Sequence, residues 1–118
     1  MSHLDELKEG IIQALDNLEN SVKNINKKEY SQRPKIIRRC EGQLVDIKTK
    51  IESFDLEILY EDKARAVPYK EALKQIQSRH KKIEDLIEFK KKERETEGTL
   101  LGEIMKKKEN DESGGNNY

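Results

Sequence analysis

Cys40 and His80 are the two residues of this chain whose types could support nucleophilic catalysis. A cysteine thiolate attacks an electrophilic carbon when a neighbouring histidine takes up its proton, so the two side chains must lie within hydrogen-bond reach. Cys40 is the single cysteine, and His3 is the only other histidine. Whether a catalytic pair can form therefore depends on the elements that carry Cys40 and His80.

Metal and phosphate sites are not predicted. His3 and His80 lie far apart in the sequence, and no cluster of cysteines or carboxylates accompanies them at the spacing of metal ligands. The glycines do not form a Gly-rich turn between a strand and a helix, which a phosphate-binding loop requires. We therefore expect no metal and no cofactor.

The composition is typical of long amphipathic helices. Of the 118 residues, 41% are charged and 33% are hydrophobic, and there is no tryptophan. A hydrophobic fraction this small is buried most easily when each helix gathers it on one stripe. The 24 basic and 24 acidic residues give a net charge of zero, so no overall field attracts nucleic acid or a membrane surface.

Hydrophobic periodicity predicts three helices, A, B and C. Apolar residues recur every three or four positions over residues 4–25, and they form a heptad seam over residues 37–58. A third seam covers residues 69–87. The predicted bounds are about 3–27, 32–62 and 68–97.

The breaks between these helices are short. A polar segment near residue 28 precedes Ser31, a candidate N-cap, and Pro34, which suits a first helical turn. Pro68 favours a break at Val67 and a helix that begins near Pro68. Short connections place consecutive helices antiparallel, which predicts an all-α, up-down-up three-helix bundle. The bundle is expected over residues 1–103, and residues 104–118 are expected to be a linker or a disordered tail.

The register of helices B and C argues against a catalytic pair. Folding them about residue 65 places Cys40 opposite residue 90 and Ile51 between Ile76 and Ile83. His80 then lies ten residues from the level of Cys40, roughly 15 Å along the axis. We interpret Cys40 as a small buried thiol and His80 as a hydrogen-bonded residue at the edge of the seam, and we expect no enzymatic activity.

Helix B carries two candidate partner-binding features outside its seam. A basic cluster lies at its start, and antiparallel packing would bring Lys90, Lys91 and Lys92 of helix C to the same end of the bundle. Such a cluster could dock an acidic protein surface or lipid headgroups, or it could be a solvated charged face. Three apolar residues share a different side of helix B and could contact another helix, or they could be scattered surface residues. The basic cluster comprises Arg33, Lys35, Arg38 and Arg39, and the apolar residues are Val45, Leu56 and Leu59. Together these seven residues form the candidate surface.

Several short motifs, in their order and spacing, resemble the N-terminal domain of Vti-type Qb SNAREs over most of residues 4–103. They are Ile37-Arg38-Arg39, Asp55-Leu56-Glu57, Arg65, Tyr69-Lys70 and Leu100-Leu101-Gly102-Glu103. The resemblance implies an Habc-type regulatory domain on the cytoplasmic face of Golgi, endosomal or vacuolar membranes. Such a domain assists membrane fusion in vesicle transport by binding other SNAREs, trafficking adaptors or tethers.

This chain ends at Tyr118 without the heptads and central glutamine of a SNARE motif and without a membrane helix. The resemblance therefore implies a soluble fragment, expected to be monomeric, whose membrane contact would come only through a C-terminal anchor absent from the chain. The alternative function is a soluble helical cofactor or coiled-coil subunit similar to the tubulin-binding chaperones, with no membrane anchor. A reading frame that continues past Tyr118 into further heptads would favour the first function over the second.

Overall fold

A computed structural model of the chain describes the backbone of residues 2–113 and the side chains of residues 2–93. Three α-helices follow one another: α1 (His3–Lys23), α2 (Arg33–Leu59) and α3 (Lys63–Ser113). Two short 3-10 turns, Ile25–Lys27 and Tyr30–Gln32, connect α1 to α2. The described backbone contains no strand, and the predicted all-α, three-helix fold is confirmed.

Helix α1 has conventional end signals. The Ser2 hydroxyl caps its start by accepting a hydrogen bond from the Asp5 backbone N–H at 3.2 Å. Asp5 and Glu6 lie in its first turn and Lys23 in its last, so their charges complement the helix dipole.

The start of α2 differs from the prediction in one respect. Ser31 does not cap it, because the chain enters α2 directly from the 3-10 turn, with Gln32 at the N-cap position and no side-chain capping bond. The Arg33 N–H donates instead to the Tyr30 carbonyl. Pro34 does lie in the first turn of α2, as predicted, where its missing N–H leaves no helical bond unmade.

The α2–α3 connection is shorter than predicted. Helix α3 begins at Lys63, five residues before Pro68, and the Ala66 N–H donates to the Asp62 carbonyl at 2.8 Å. Pro68 therefore lies inside the helix, where it cannot donate to the carbonyl one turn earlier. The early start buries Ala66, which is 2% exposed in the core.

The shorter connection changes the register of α2 and α3. The ring of Phe54 meets that of Tyr69 edge to face, with centroids 6.4 Å apart, so the two helices are antiparallel as predicted. His80 lies beside Leu44, however, and not near residue 50. Leu44 follows Cys40 by one turn, about 6 Å along the axis, so the predicted separation of Cys40 and His80 was too large.

Contacts at the start of α1 and just after its end show that it runs parallel to α3. The Tyr69 hydroxyl donates to Asp5 Oδ1 at 2.9 Å, and Asn26 Nδ2 donates to Glu93 Oε1 at 3.4 Å. The three helices therefore run up, down and up.

One hydrophobic cluster joins all three helices, and it contains no buried polar or charged residue among those described. The whole predicted seam of helix B is buried, and Phe54 is completely enclosed. The buried residues are Leu4, Ile11, Leu15, Leu18, Val22, Ile25, Ile37, Cys40, Leu44, Ile47, Ile51, Phe54, Ile58, Ala66, Leu73, Ile76, Ile83 and Ile87.

Helix α3 is far longer than its two neighbours. It has 51 residues, whereas α1 has 21 and α2 has 27, and the molecule measures 78 × 20 × 16 Å. The helical backbone continues past the predicted end of helix C at residue 97 and through residues 104–113, which were expected to belong to a linker or a disordered tail. Residues 114–118 lie outside the described part of the chain, and the domain division at residue 103 stays a prediction.

Candidate protein-binding surfaces

Cys40 and His80 have the structural roles that the sequence suggested. His80 Nε2 lies 3.0 Å from the Leu44 carbonyl oxygen, which can only accept, so this ring nitrogen donates. Cys40 is 1% exposed, and burial raises the pKa of its thiol. A protonated, enclosed thiol is not the nucleophilic form, and the proton on His80 Nε2 is already committed to a carbonyl.

The described residues hold no group of three histidine, cysteine or carboxylate side chains that could bind a metal ion. Within the same part of the chain, no helix has both the length and the apolar character needed to cross a membrane.

Arg33 has an intramolecular role that its position in a basic cluster did not reveal. Its Nε donates to the Lys28 carbonyl at 3.1 Å, and its Nη2 donates to the Asn26 carbonyl at 3.0 Å. The guanidinium also lies over the Tyr30 ring, 5.5 Å from the centroid. Because a planar guanidinium offers five donors, one side chain can hold several parts of the α1–α2 connection.

Lys35 and Arg39 line a groove between α1 and α2 at the end of the bundle that holds their connection. We call this groove, with a volume of about 620 Å³, the basic groove. Lys28 contributes a third positive charge, although it lies outside the basic cluster in the sequence. The basic groove is lined by Asn20, Ser21, Asn24, Lys28, Gln32, Lys35, Ile36, Arg39, Cys40 and Gln43.

Arg38 is not among the residues that line the basic groove. Counting about 100° per residue places it within roughly 60° of Val45, Leu56 and Leu59 on the outer face of α2. Val45, Leu56 and Leu59 are 63%, 58% and 70% exposed. We call these four residues the α2 stripe. The seven predicted residues thus divide among the basic groove, the α2 stripe and, for Arg33, the α1–α2 connection.

The lysines of helix C lie at the same end of the bundle as the start of α2, as predicted. Lys91 Nζ forms an ion pair with Glu41 Oε2 at 3.2 Å. This pair links α2 to α3 and neutralises part of the charge that the sequence assigned to a joint basic surface.

A cluster of charges also joins α1 to α3. Arg79 of α3 forms ion pairs with Asp16 and Glu19 of α1, the second with Nη2 and Oε1 2.7 Å apart. Lys23 adds an ion pair to Glu19 at 3.0 Å. The hydrogen bond from Arg79, followed by that from Lys23, lowers the pKa of the Glu19 carboxyl below its usual value of 4.5.

Replacing Arg79 with glutamine should lower the free energy of unfolding near neutral pH. It should also make this free energy depend less on pH in the acid range. Because the pKa of Glu19 is lowered on folding, its contribution is complete above pH 4.5 and is lost as the pH falls through the lower, folded-state value. The loss in the variant should be about 1 kcal/mol or less, since both partners are partly exposed. Thermal melts of both proteins at a series of pH values measure it.

Lys81→Gln provides the matched control for Arg79→Gln. Lys81 pairs only with Glu84 and Asp85 of its own helix among the described residues, so its loss should not weaken the α1–α3 contact. The free energies of unfolding of the unchanged chain and of Arg79→Gln should converge at low pH. A difference that stays constant down to pH 3, roughly one and a half units below the usual pKa of Glu19, would contradict the assigned role of Glu19.

Comparison with protein families identifies the bundle. The model of the family described as vesicle transport v-SNARE protein N-terminus matches residues 1–92, which include α1, α2 and the part of α3 that packs against them. Comparison with curated proteins gives no significant match, and neither does comparison with solved structures. The match covers more than half of the chain and all of the bundle's described core, and the chain therefore belongs to the vesicle transport v-SNARE N-terminal family, a family of non-enzymatic trafficking proteins.

Proposed function

We propose that this bundle is the N-terminal regulatory domain of a Vti-type Qb SNARE. In this proposal it serves vesicle transport and membrane fusion between Golgi, endosomal or vacuolar compartments. It acts on their cytoplasmic face by binding other SNAREs, trafficking adaptors or tethers through the α2 stripe. The family match favours this function over that of a tubulin-chaperone-like cofactor, and the resemblance of the motifs from Ile37 to Glu103 supports the Vti subtype.

The proposal is supported mainly by the apolar residues of the α2 stripe, which are exposed although the hydrophobic core is complete without them. The three seams bury one another, so Val45, Leu56 and Leu59 are not needed to hold the bundle together. Apolar side chains at a helical spacing can enter the groove of another helix. Arg38, which has no ion pair among the described residues, supplies a charge at one end of this surface.

The position of the α2 stripe also suits a regulatory surface. Leu56 and Leu59 lie in the last turn of α2, where Tyr60 is 86% exposed, whereas Val45 lies near the helix middle. The stripe thus extends from the α2–α3 connection toward the other end, over about 20 Å between Val45 and Leu59. A partner helix of four turns could lie along it.

Binding to isolated endomembranes tests the proposal. The purified chain, carrying a photo-crosslinker at Glu52 beside the stripe, should become linked to SNAREs or trafficking adaptors that mass spectrometry identifies. The dissociation constant for the purified partner is then measured by calorimetry. Val45→Asp and Leu56→Asp should each weaken binding about tenfold, since each places a charge in an apolar contact.

Val67→Asp is the matched control, because Val67 is 61% exposed on α3 and counting residues places it opposite the buried face of that helix. It should bind like the unchanged chain, and all three variants should melt at the same temperature. Equal weakening by Val67→Asp, or crosslinks only to proteins outside membrane traffic, would refute the proposal.

A further inference from the structure

The basic groove differs from the rest of the surface in its charge. The chain as a whole has equal numbers of acidic and basic residues, yet the groove lining includes three basic side chains and no acidic one. The side-chain cations of Lys28, Lys35 and Arg39 form no ion pair or hydrogen bond within the described residues, although the Lys28 backbone carbonyl accepts a hydrogen bond from Arg33. Three cations are thus concentrated in a concave site that no carboxylate of the described bundle neutralises.

The other lining groups are suited to an elongated ligand with polar and apolar parts. Asn20 of α1 and Asn24 at its C-cap line the groove together with Gln32 at the N-cap of α2 and Gln43, and their amides offer both donors and acceptors. Ile36, which is half-buried, supplies apolar contact surface beside the buried Cys40. The groove follows α2 from residue 32 to residue 43, about 16 Å.

We propose that the basic groove binds an acidic peptide segment of a partner protein. Lys35 and Arg39 are one helical turn apart, about 6 Å along α2. Carboxylates on alternate residues of an extended peptide repeat at nearly the same distance, about 6.6 Å. Such a peptide can pair two carboxylates with Lys35 and Arg39, direct a third toward Lys28 and place an apolar side chain against Ile36.

The shape of the site favours a peptide over a membrane surface. An extended peptide can lie along the length of a groove, whereas the flat surface of a bilayer cannot enter it, and these cations line a groove between two helices. The zero net charge of the chain provides no long-range attraction to anionic lipid. The N-terminus of α2, where Gln32 makes no side-chain capping bond, adds the positive end of a helix dipole beside the groove.

This inference rests on the proposed protein-binding function and names a second contact, separate from the α2 stripe. The stripe would hold an apolar helix face, and the basic groove would hold an acidic segment of the same partner or of another one. Failure at the groove would leave binding through the stripe unaffected, so the two experiments can be distinguished.

Fluorescence anisotropy tests the proposal with a synthetic probe. The probe is a fluorescein-labelled twelve-residue peptide with glutamate at alternate positions and one central leucine. It should bind the chain saturably with a dissociation constant below about 1 mM, and the same peptide with glutamine in place of glutamate should bind at least tenfold more weakly. Amide chemical-shift changes should be confined to residues 20–43.

Charge-reversal variants locate the site. Lys35→Glu combined with Arg39→Glu should weaken probe binding about tenfold or more, whereas Lys48→Glu combined with Lys70→Glu should not, although it changes the net charge equally. Both pairs are exposed, and circular dichroism melts check that each variant folds.

Three results would overturn the proposal: no saturable binding of the probe, equal loss in both variants, or chemical-shift changes outside the groove. The last experiment measures binding to vesicles. They contain phosphatidylcholine with about 20% phosphatidylserine or phosphoinositide, which makes their surface anionic. Binding to these vesicles that depends on Lys35 and Arg39, with no binding of the peptide, would assign the groove to lipid instead.

Discussion

Ile51→Asp should abolish the cooperative unfolding transition of the bundle. Ile51 is 6% exposed in the middle of α2, within the core that joins the three helices. The described core contains no polar or charged residue that could pair with a carboxylate, so the new charge would be buried alone or the core would open to water. Either outcome costs more than about 4 kcal/mol, a large part of the stability expected for a domain of this size.

Circular dichroism at 222 nm, the wavelength of the helical signal, measures this effect during heating. The same substitution at Val45, which is 63% exposed on the same helix, is the control and should leave the melt nearly unchanged. A cooperative melt of Ile51→Asp at the temperature of the unchanged chain would show that Ile51 does not face the core.

Phe54→Ala should give the next largest loss, about 3–5 kcal/mol. Phe54 has the largest side chain among those that are completely buried, and its ring meets that of Tyr69 edge to face at an interplanar angle of 87°. The substitution removes the apolar contacts of the ring, leaves a cavity between α2 and α3 and deletes the aromatic pair. Urea unfolding followed by circular dichroism gives the free energy of unfolding.

Phe89→Ala is the matched control for Phe54→Ala, because Phe89 is 59% exposed on α3. The same atoms are removed, but few of them are buried, so the loss should stay within about 0.5 kcal/mol. Equal losses in the two variants would mean that the α2–α3 packing described here is wrong.

The fold was predictable because its seams are regular. All seven residues of the helix B seam, from Ile37 to Ile58, are buried, since a heptad spacing leaves only one face that can meet two neighbouring helices. The short connections then allow only antiparallel neighbours. Folding helix A against helix B about residue 29 by the same reasoning predicts that Leu18 lies near Cys40 and Ile11 near Ile47.

The helix ends were less predictable, because there local signals compete with packing. Pro68 favours a helix start, yet burial of Ala66 extends α3 back to Lys63. Ser31 is a good capping residue, yet a 3-10 turn takes the chain into α2 without it. The predicted connection between α2 and α3 was a few residues too long. His80 was therefore expected at the level of residue 50 of α2, whereas it lies beside Leu44.

The sequence predicted several residues of the candidate surfaces, but not which of them lie together. Periodicity alone separates Arg38 from Arg39, since neighbours on a helix point about 100° apart, and this signal could have divided the basic cluster. Lys28 joins the basic groove only because the α1–α2 connection folds back beside Lys35. The hydrogen bonds of Arg33 to backbone carbonyls depend on the same loop.

The unbroken backbone of α3 carries the orientation of the bundle along the helix as far as residue 113. From Lys63 to Ser113 the helix has no interruption, so the angular position of its backbone at residue 113 follows from the packing of residues 66–87. One residue inserted between positions 94 and 99 would rotate everything beyond it by about 100°, whereas seven inserted residues would restore the phase to within about 20°. The packing of the bundle thus sets the angle at which the helix backbone leaves it.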